Sequence, residues 1–257
     1  MNTTEMLLRV PWAGRRMLHA KAALRESLGK ITIPDLNMYP DLPPDLHRAV
    51  LRLWTLLIGR SATDPDQLFG MMRFAERVAL VRYGAQCPPD TAAVELGAHA
   101  GISTCFLSAG LMRAGATSLW AVDTFVGSTT VEIDKASYAR TTQAAGGSVL
   151  PWFRRHVDMF DLRGFAIEQV GLTTEVAKRW TGDPIGLLFV DADHSYESCR
   201  ADFEAWQPWL TDNALVLFHD HEPAYPGIIQ AVEEFHQAGL LETLETVCTL
   251  RVCRYHK

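Results

Sequence analysis

The amino-acid sequence predicts a doubly wound, Rossmann-like α/β fold: a mostly parallel sheet, an antiparallel strand at its C-terminal end, and a helical N-terminal extension. After residue 90, short apolar runs alternate with stretches of helical periodicity. Runs such as 187–190 (Leu-Leu-Phe-Val) contain no alternating polar residues. Strands of that kind are typical of parallel sheets that helices cover on both faces. We therefore assign residues 91–257 to a single α/β domain.

The extension, residues 1–90, is predicted to be helical and to serve as a lid or as an oligomerisation arm; a helical pair that only packs against the edge of the sheet is the alternative. Apolar residues recur there at helical spacing. Asp64 followed by Pro65 is typical of a helix start, because aspartate caps the helix and proline fits its first turn. We expect helices at about 15–28, at 45–59 and from Asp64 to residue 79.

Within the α/β domain, the alternation locates the individual elements. We expect strands at 91–96, 118–122, 165–170, 185–190 and 214–218. We expect helices at about 102–113, 173–180, 196–208 and 226–239. The tail is predicted to close the sheet with two strands joined by a short turn, at 240–244 and 247–254.

Composition argues against several classes of protein. Of the 257 residues, 48% are hydrophobic and 21% are charged, which is typical of a soluble globular protein. The net charge of −6 argues against a nucleic-acid partner. The longest apolar runs are strand-sized, which argues against a membrane span. Five cysteines without metal-binding spacing, and an N-terminus without the pattern of a secretory signal, favour a reducing, cytoplasmic location.

The first functional motif is an E-x-G-x-x-x-G turn from Glu95 to Gly101, between a predicted strand and a predicted helix. Gly97 would let the backbone pass close to a ligand, and Gly101 would let the helix pack tightly on the strand. A turn that binds pyrophosphate normally reads G-x-G-x-x-G, whereas an acidic residue at the strand end suits an ammonium group. A turn without any ligand can also carry two glycines.

The second motif is Asp123, at the end of the next apolar strand. In nucleoside-binding α/β folds, an acidic residue at this place accepts hydrogen bonds from the ribose hydroxyls. A solvated aspartate is the alternative. The spacing of 28 residues from Glu95 favours ribose binding.

The third motif is a pair of polar clusters, 191–195 (Asp-Ala-Asp-His-Ser) and 219–221 (His-Asp-His), each directly after an apolar strand. Since ligands bind at the carboxyl ends of parallel strands, we expect the two clusters to converge. They could hold a divalent cation and leave one histidine free as a base. A residue of the first cluster could instead simply cap the next helix, which would leave the second cluster unexplained.

The sequence resembles class I S-adenosylmethionine-dependent methyltransferases in the order of these motifs, which is the glycine turn, then Asp123, then the two polar clusters. With their flanking residues, the clusters read Phe-Val-Asp-Ala-Asp-His-Ser-Tyr-Glu and Phe-His-Asp-His. More narrowly, they resemble the macrocin-type sugar O-methyltransferases and the cephalosporin hydroxylase-like proteins. The likeness covers about residues 90–240. It implies an O-methyltransferase that uses S-adenosylmethionine and acts on a small-molecule hydroxyl, with a sugar or glycosylated natural product as the expected acceptor. We also expect a homo-oligomer, because the helical extension could serve as a dimerisation arm.

The resemblance implies roles for individual residues. Glu95 and Gly97 would lie at the methionine end of the cofactor, Asp123 at the ribose, and Gly171 beside the adenine. The whole expected cofactor-binding set is Glu95, Gly97, Gly101, Ser103, Asp123, Gly171 and Asp191. His194 would be the general base, with Asp191 as the second catalytic residue. The expected ligands of Mg²⁺ or another divalent cation are Asp191, His219 and Asp220.

Two positions depart from this family pattern. Macrocin-type enzymes carry an Asp-Asp pair where this chain has His219 and Asp220, and Mg²⁺ prefers ligand shells made of oxygen. Many relatives carry an acidic residue where this chain has Leu172. The first departure leaves the dependence on a metal open.

Three other classes of function remain as alternatives. A metal-dependent glycosyltransferase could use Asp191 and Asp193 as a D-x-D site, but this leaves the turn from Glu95 to Gly101 unexplained. A nicotinamide-dependent oxidoreductase would need a third glycine that the turn lacks. A non-catalytic protein could bind S-adenosylmethionine without turning over an acceptor.

Overall fold

Seven strands form one sheet in the computed structural model, which describes residues 36–61 and 72–257. The strands are β1 (Ala92–Leu96), β2 (Ser118–Asp123), β3 (Ala166–Val170), β4 (Ile185–Val190), β5 (Leu210–Phe218), β6 (Leu241–Val247) and β7 (Leu250–Tyr255). Their order in the sheet is β3-β2-β1-β4-β5-β7-β6. Strands β1 to β5 pair in parallel, and β7 pairs antiparallel with both β5 and β6. The predicted fold class is therefore confirmed.

Helices cover both faces of this sheet. They are α1 (Pro44–Ser61), α2 (Phe74–Gly84), α3 (Ile102–Ala114), α4 (Glu132–Ala144), α5 (Leu150–Met159), α6 (Thr173–Ala177), α7 (Tyr196–Trp206) and α8 (Pro226–Gln237). Within the described ranges, none of the helices has both the length and the apolar character that a membrane crossing needs.

The continuous apolar runs are explained by burial on both faces of the sheet. Leu187 and Phe189 of β4 belong to an apolar cluster that includes Phe106 of α3. Leu188 and Val190, which alternate with them, belong to a second cluster that includes Trp206 of α7. Each such side chain, once fully buried, contributes about 1.5–3 kcal/mol to stability.

Helices α1 and α2 pack on the α/β domain through the first of these clusters. Val50 and Leu53 of α1 and Val78 of α2 are buried in the same apolar cluster as Phe106. Part of the N-terminal extension thus shares the core of the domain that follows it.

The strand order reverses beside β1, because β2 and β4 lie on its two sides. The connections that follow β1 and β2 lead toward the β3 edge of the sheet, and those that follow β4 and β5 lead toward the β6 edge. This divergence opens a crevice at the carboxyl ends of these strands. The predicted functional motifs all follow these strands.

The prediction of one helix from Asp64 through residue 79 was wrong at residues 72 and 73, which precede α2 and are not helical. Glu76 caps the start of α2 instead, because its carboxylate accepts the backbone N–H of Arg73 at 2.6 Å. The Asp64 cap and the helix at 15–28 lie outside the described residues. Helix α1 continues to Ser61, because a glycine such as Gly59 costs a helix only about 1 kcal/mol relative to alanine.

Two helices between β2 and β3 were not predicted. Helix α4 has no apolar stripe, because its buried side chains are the polar Asp134 and Thr141. Helix α5 buries Phe153 and Val157 but is only ten residues long. Hydrophobic periodicity gives a weak signal for α4, whereas α5 is amphipathic and its apolar face could have been found in the sequence.

Strand β5 was expected to begin at residue 214, but it begins at Leu210. Leu210 pairs with Ile185, and an irregularity in the β4–β5 register follows. The exposed Asp212 and Asn213 in this part of the strand gave it the appearance of a loop in the sequence.

Candidate functional site

Backbone hydrogen bonds at the carboxyl ends of the strands bring the predicted motifs together. Gly97 donates its N–H to Val122 at 2.8 Å, and Asp191 donates its N–H to Leu96 at 2.9 Å. His219 donates its N–H to Val190 at 3.1 Å. The turns after β1, β4 and β5 therefore begin side by side.

Gly97 makes room for the protein's own backbone. It has a positive φ of 90°, and a Cβ placed on it would lie 1.9 Å from the carbonyl oxygen of Asp191. Gly101, also at positive φ, lies against the ring of Phe153 on α5, which a Cβ would approach to 2.7 Å. Both glycines are thus required by packing, and Gly101 faces a helix that was not predicted.

A groove with an open volume of about 430 Å³ lies along the turns after β1, β2, β3 and β4. Of the expected cofactor-binding residues, the groove is lined by Gly97, Asp123, Gly171 and Asp191. Its carboxylates are those of Asp123, Asp191, Asp193, Glu197 and Asp202, and none of the described residues that line it is lysine or arginine. Such a lining favours a cationic ligand over a phosphorylated one.

Asp123 is held at the end of β2 by two backbone donors. Its Oδ2 accepts the N–H of His99 at 2.7 Å, and its Oδ1 accepts the N–H of Phe125. Each carboxylate oxygen can accept a further hydrogen bond, so the side chain can still receive a diol. Burial raises the pKa of the Asp123 carboxyl, and the two N–H donors partly oppose this.

The far end of the groove is lined by Gly171, by Leu172 and by Asp202. Leu172 is 59% exposed and offers an apolar surface. Asp202 of α7 was not predicted. It is buried, it accepts a hydrogen bond from Thr173, and burial raises its pKa to about 7.

Glu95 lies beneath the turn and lines neither the groove nor the smaller cavity described below. It is fully buried, and its Oε2 accepts the hydroxyl hydrogen of Thr104 on α3. Its Oε1 has no hydrogen-bond partner among the described residues. Burial raises the pKa of this carboxyl to about 7.

A smaller cavity of about 70 Å³ adjoins the groove. Gly97, His99, Tyr138 and Asp191 line both spaces. The remaining lining of the cavity includes Met72, Ser103, His194, His219 and Asp220. The structure thus separates His221 from the other two predicted histidines, because His221 lines neither space.

His194 is held by a partner that the sequence did not reveal. Its side chain is only 3% exposed, and its Nδ1 lies 2.8 Å from Oδ2 of Asp134 on α4. Tyr225 donates its hydroxyl hydrogen to the other oxygen of Asp134 at 2.9 Å. Because a carboxylate only accepts, Nδ1 carries the proton of the neutral ring and Nε2 carries the lone pair.

The Nε2 atom of His194 faces the two aspartates of the cavity. It lies 3.2 Å from Oδ2 of Asp220 and 3.9 Å from Oδ1 of Asp191. It has no hydrogen-bond partner among the described residues. This arrangement, a base nitrogen oriented by a carboxylate and open to a cavity, is suited to removing a proton from a bound acceptor.

Carboxylates also surround His219. Its Nδ1 lies 3.1 Å from Oδ1 of Asp191 and 3.1 Å from Oδ2 of Asp220, and its Nε2 lies 3.4 Å from Oε2 of Glu76 on α2. Burial would lower the pKa of His219, but Asp191, Asp220 and Glu76 outweigh it and raise this pKa well above its usual range. Burial would raise the pKa of Glu76, but hydrogen bonds from His219, Thr249 and Arg73 lower it to about 2.

One potential ligand atom each from Asp191, His219 and Asp220 lies within 4.8 Å of the other two. Two carboxylate oxygens and one imidazole nitrogen form a donor set that fits a divalent cation. The three predicted metal ligands are therefore brought together.

These features define a doubly wound α/β protein with an acidic ligand groove at its switch point. Residues 94–221 match the family model of the methyltransferase domain. This segment, about half of the chain, belongs to the methyltransferase-domain family.

Solved structures of methyltransferases share the fold. The O-methyltransferase NovP superposes with a TM-score of 0.63 at 16% identity, over 82% of this chain and 100% of NovP. CalS11, a calicheamicin methyltransferase, superposes with a TM-score of 0.57 at 18% identity, over 88% of this chain and 99% of CalS11. An O-methyltransferase from Bacillus cereus in complex with S-adenosylhomocysteine superposes with a TM-score of 0.54 at 14% identity, over 91% of this chain and 97% of that enzyme.

A protein relative is similar in sequence over a shorter stretch. The uncharacterized protein y4gI of Sinorhizobium fredii is 32% identical over 130 residues. The match takes in 50% of this chain but only 13% of the length of that relative.

Proposed function

We propose that this protein transfers a methyl group from S-adenosylmethionine to a hydroxyl of a small molecule, and that a sugar or a glycosylated compound is its acceptor. One observation carries the proposal: the acidic groove and the smaller cavity share Asp191 in their linings. In that cavity, Nε2 of His194 makes no hydrogen bond to any of the described residues.

The groove fits the cofactor in size and charge. A volume of about 430 Å³ lies in the usual range for a small-molecule site. The Asp123 carboxylate is placed for the ribose diol, and Gly171 and Leu172 form a wall for the adenine, with Asp202 as an acceptor for its amino group. Gly97 and Asp191 then lie at the methionine end, beside the cavity for the acceptor.

The chemistry divides between the cofactor and the chain. S-adenosylmethionine supplies a methyl group on a positively charged sulfur. His194 takes the hydroxyl proton as the new C–O bond forms and S-adenosylhomocysteine leaves, because an imidazole is too weak a base to deprotonate an alcohol beforehand. Asp134 keeps Nε2 free for this proton and stabilises the imidazolium that results. A divalent cation held by Asp191, His219 and Asp220 would lower the pKa of a bound hydroxyl.

The acceptor class is supported by what one structural neighbour acts on. CalS11 is a TDP-rhamnose 3'-O-methyltransferase. The sugar acceptor is nevertheless the part of the proposal that rests on likeness of fold, and it therefore has its own arm in the experiment below.

The acidic lining of the groove disfavours a nucleotide-sugar or nicotinamide cofactor, since these carry a diphosphate. The D-x-D alternative is also disfavoured by the contacts of Asp193. This side chain accepts the N–H of Thr130 at 2.7 Å and the N–H of Ser195 at 2.9 Å, so it is committed to the local loop.

The N-terminal extension is proposed to form a wall of the acceptor cavity. Met72 lines the cavity, and Glu76 of α2 contacts His219. Both residues belong to the part of the chain that precedes β1.

Calorimetric titration tests the cofactor class. We expect S-adenosylhomocysteine to bind and both NAD⁺ and a nucleoside diphosphate sugar not to bind. Asp123→Ala should weaken the binding of S-adenosylhomocysteine by at least about tenfold, because a hydrogen bond to a charged group contributes about 1.5–3 kcal/mol. Asp212→Asn, which removes an exposed carboxylate near the amino end of β5 and outside the groove, is the matched control. Undiminished binding by Asp123→Ala would overturn the assignment.

Methyl transfer from labelled S-adenosylmethionine to nucleotide sugars, glycosides and a catechol tests the acceptor. Turnover of a sugar hydroxyl is expected, and turnover of the catechol alone would reject the sugar class. His194→Ala should bind S-adenosylhomocysteine normally and lose turnover. A folded wild-type protein that binds the cofactor but methylates no acceptor would favour the non-catalytic alternative.

A further inference from the structure

Carboxylates hold the ring of His219 from both sides. On the cavity side, Nδ1 lies 3.1 Å from an oxygen of Asp191 and 3.1 Å from an oxygen of Asp220. On the buried side, Nε2 lies 3.4 Å from Oε2 of Glu76. The orientation of the ring is thus set by a residue of α2 that is 143 positions away in the sequence.

Glu76 is itself fixed, which makes it a rigid support. Its side chain is 1% exposed. Its Oε1 accepts the backbone N–H of Thr249 at 2.8 Å and the hydroxyl of the same residue at 2.7 Å, and its Oε2 accepts the backbone N–H of Arg73 at 2.6 Å. The carboxylate therefore has little freedom to leave His219.

This geometry is typical of a metal-ligating histidine. Because Glu76 only accepts hydrogen bonds, Nε2 of His219 carries a hydrogen, and a cation bound to Asp191 and Asp220 would take Nδ1 as its third ligand in place of a proton. Histidines that bind metals commonly donate their second ring N–H to a carboxylate in this way. His194 adds an independent observation, because its buried Nε2 makes no hydrogen bond of its own and lies 3.2 Å from Oδ2 of Asp220 and 3.9 Å from Oδ1 of Asp191.

We propose that the cluster of Asp191, His219 and Asp220 binds a divalent ion of the first transition row in preference to Mg²⁺, and that Glu76 is the positioning residue that holds His219 for this ion. Mg²⁺ prefers oxygen ligands, whereas an imidazole ligand favours ions such as Mn²⁺, Co²⁺ and Zn²⁺. This metal site is part of the site of the proposed function. The metal proposal rests on the proposed function only in placing the ion beside the acceptor.

The first experiment measures metal binding without cofactor or acceptor. Protein without an affinity tag is treated with a chelator, dialysed and titrated separately with CoCl₂, MnCl₂ and MgCl₂ in a calorimeter. We expect one site per chain, with Co²⁺ and Mn²⁺ bound at least about tenfold more tightly than Mg²⁺. The visible absorption of bound Co²⁺ should report a nitrogen ligand.

His219→Asp creates a site with only oxygen ligands. We expect its preference for Co²⁺ over Mg²⁺ to fall by about tenfold or more and its Co²⁺ absorption to shift. His221→Asn, on the same loop but outside both the groove and the cavity, is the matched control and should change neither measurement.

The role of Glu76 is tested by Glu76→Gln. The affinity for Co²⁺ should fall by about 10–100-fold, the range found when the carboxylate behind a ligating histidine is removed. Nitrogen NMR of the Zn²⁺-loaded wild type supplies a readout that does not depend on this variant folding. It should place the ring hydrogen of His219 on Nε2, and a hydrogen on Nδ1 would refute the role of Glu76.

The proposal fails if the folded wild type binds Mg²⁺ as tightly as Co²⁺ and Mn²⁺, or binds no divalent ion. It also fails if His219→Asp leaves the affinity for Co²⁺ unchanged. Titration of the same preparation with S-adenosylhomocysteine separates these failures from a failure of the proposed function, because normal cofactor binding without metal binding would overturn the metal proposal alone.

Discussion

Nδ1 of His194 lies 2.8 Å from Oδ2 of Asp134, both side chains are buried, and His194 lines the smaller cavity. The pair joins the turn after β4 to α4 across 60 positions of sequence. It directs the free nitrogen of the imidazole toward Asp191 and Asp220. The first prediction concerns this pair.

Asp134→Asn should lower kcat for methyl transfer by about 10²–10⁴-fold while leaving the affinity for S-adenosylhomocysteine unchanged. An asparagine can donate its amide hydrogen to Nδ1, which would move the ring hydrogen to Nε2 and remove the base. Steady-state kinetics over a range of pH measures the effect and the change in the pH profile. Glu132→Gln, on the same helix with an 86% exposed side chain, is the control and should behave as the wild type. An equal loss of kcat in both variants would contradict the role of Asp134.

Tyr225→Phe removes the hydroxyl that donates to the second oxygen of Asp134. One hydrogen bond contributes about 1 kcal/mol, so we expect kcat to fall by only about fivefold. The hydroxyl steadies Asp134 without touching the base, and the double variant with Asp134→Asn should therefore be no slower than Asp134→Asn alone. A further loss in the double variant would show that Tyr225 acts through another route.

The part of this site that was predicted from the sequence lies at the ends of parallel strands. Asp123, Asp191 and His219 each follow an apolar run directly, and the carboxyl ends of neighbouring strands meet at one edge of the sheet. The doubly wound sheet was predictable for the same reason, since continuous apolar runs mark strands that are buried on both faces.

The supporting partners could not be predicted in this way. Asp134 lies on a helix without an apolar stripe, and Glu76 lies in a segment where the predicted helix start was misplaced. Their contacts with His194 and His219 join positions 60 and 143 residues apart, and no local pattern records which carboxylate meets which ring. Such pairs are determined by how α2 and α4 pack on the sheet.

Gly97→Ala should destabilise the protein by about 3 kcal/mol or more, or prevent folding. The new Cβ would lie 1.9 Å from the carbonyl oxygen of Asp191, so the turns after β1 and β4 would have to separate. Gly147→Ala is the matched control, because Gly147 also has a positive φ, of 102°. A Cβ added at Gly147 would lie more than 4 Å from every atom of the described residues other than its chain neighbours. Only the backbone strain of about 1–2 kcal/mol is expected there. Urea unfolding measures both variants, and equal losses would mean that the close approach at Gly97 does not constrain the fold.

Glu95→Gln should stabilise the protein at alkaline pH and leave it unchanged at acid pH. Burial raises the pKa of the Glu95 carboxyl from 4.5 to about 7, so the folded state holds its proton more tightly than the unfolded state does. The wild type therefore loses stability as the pH rises from about 4.5 to 7, and the loss is complete above pH 7. A shift of this size corresponds to about 3 kcal/mol, which glutamine avoids because it remains neutral. Urea unfolding at pH 4.5, 6 and 8 measures the difference, with the exposed Glu132→Gln as a control whose effect should not follow this curve. A Glu95→Gln variant that is less stable than the wild type at pH 8 would contradict the raised pKa, because it would mean that the ionised carboxylate stabilises the folded protein.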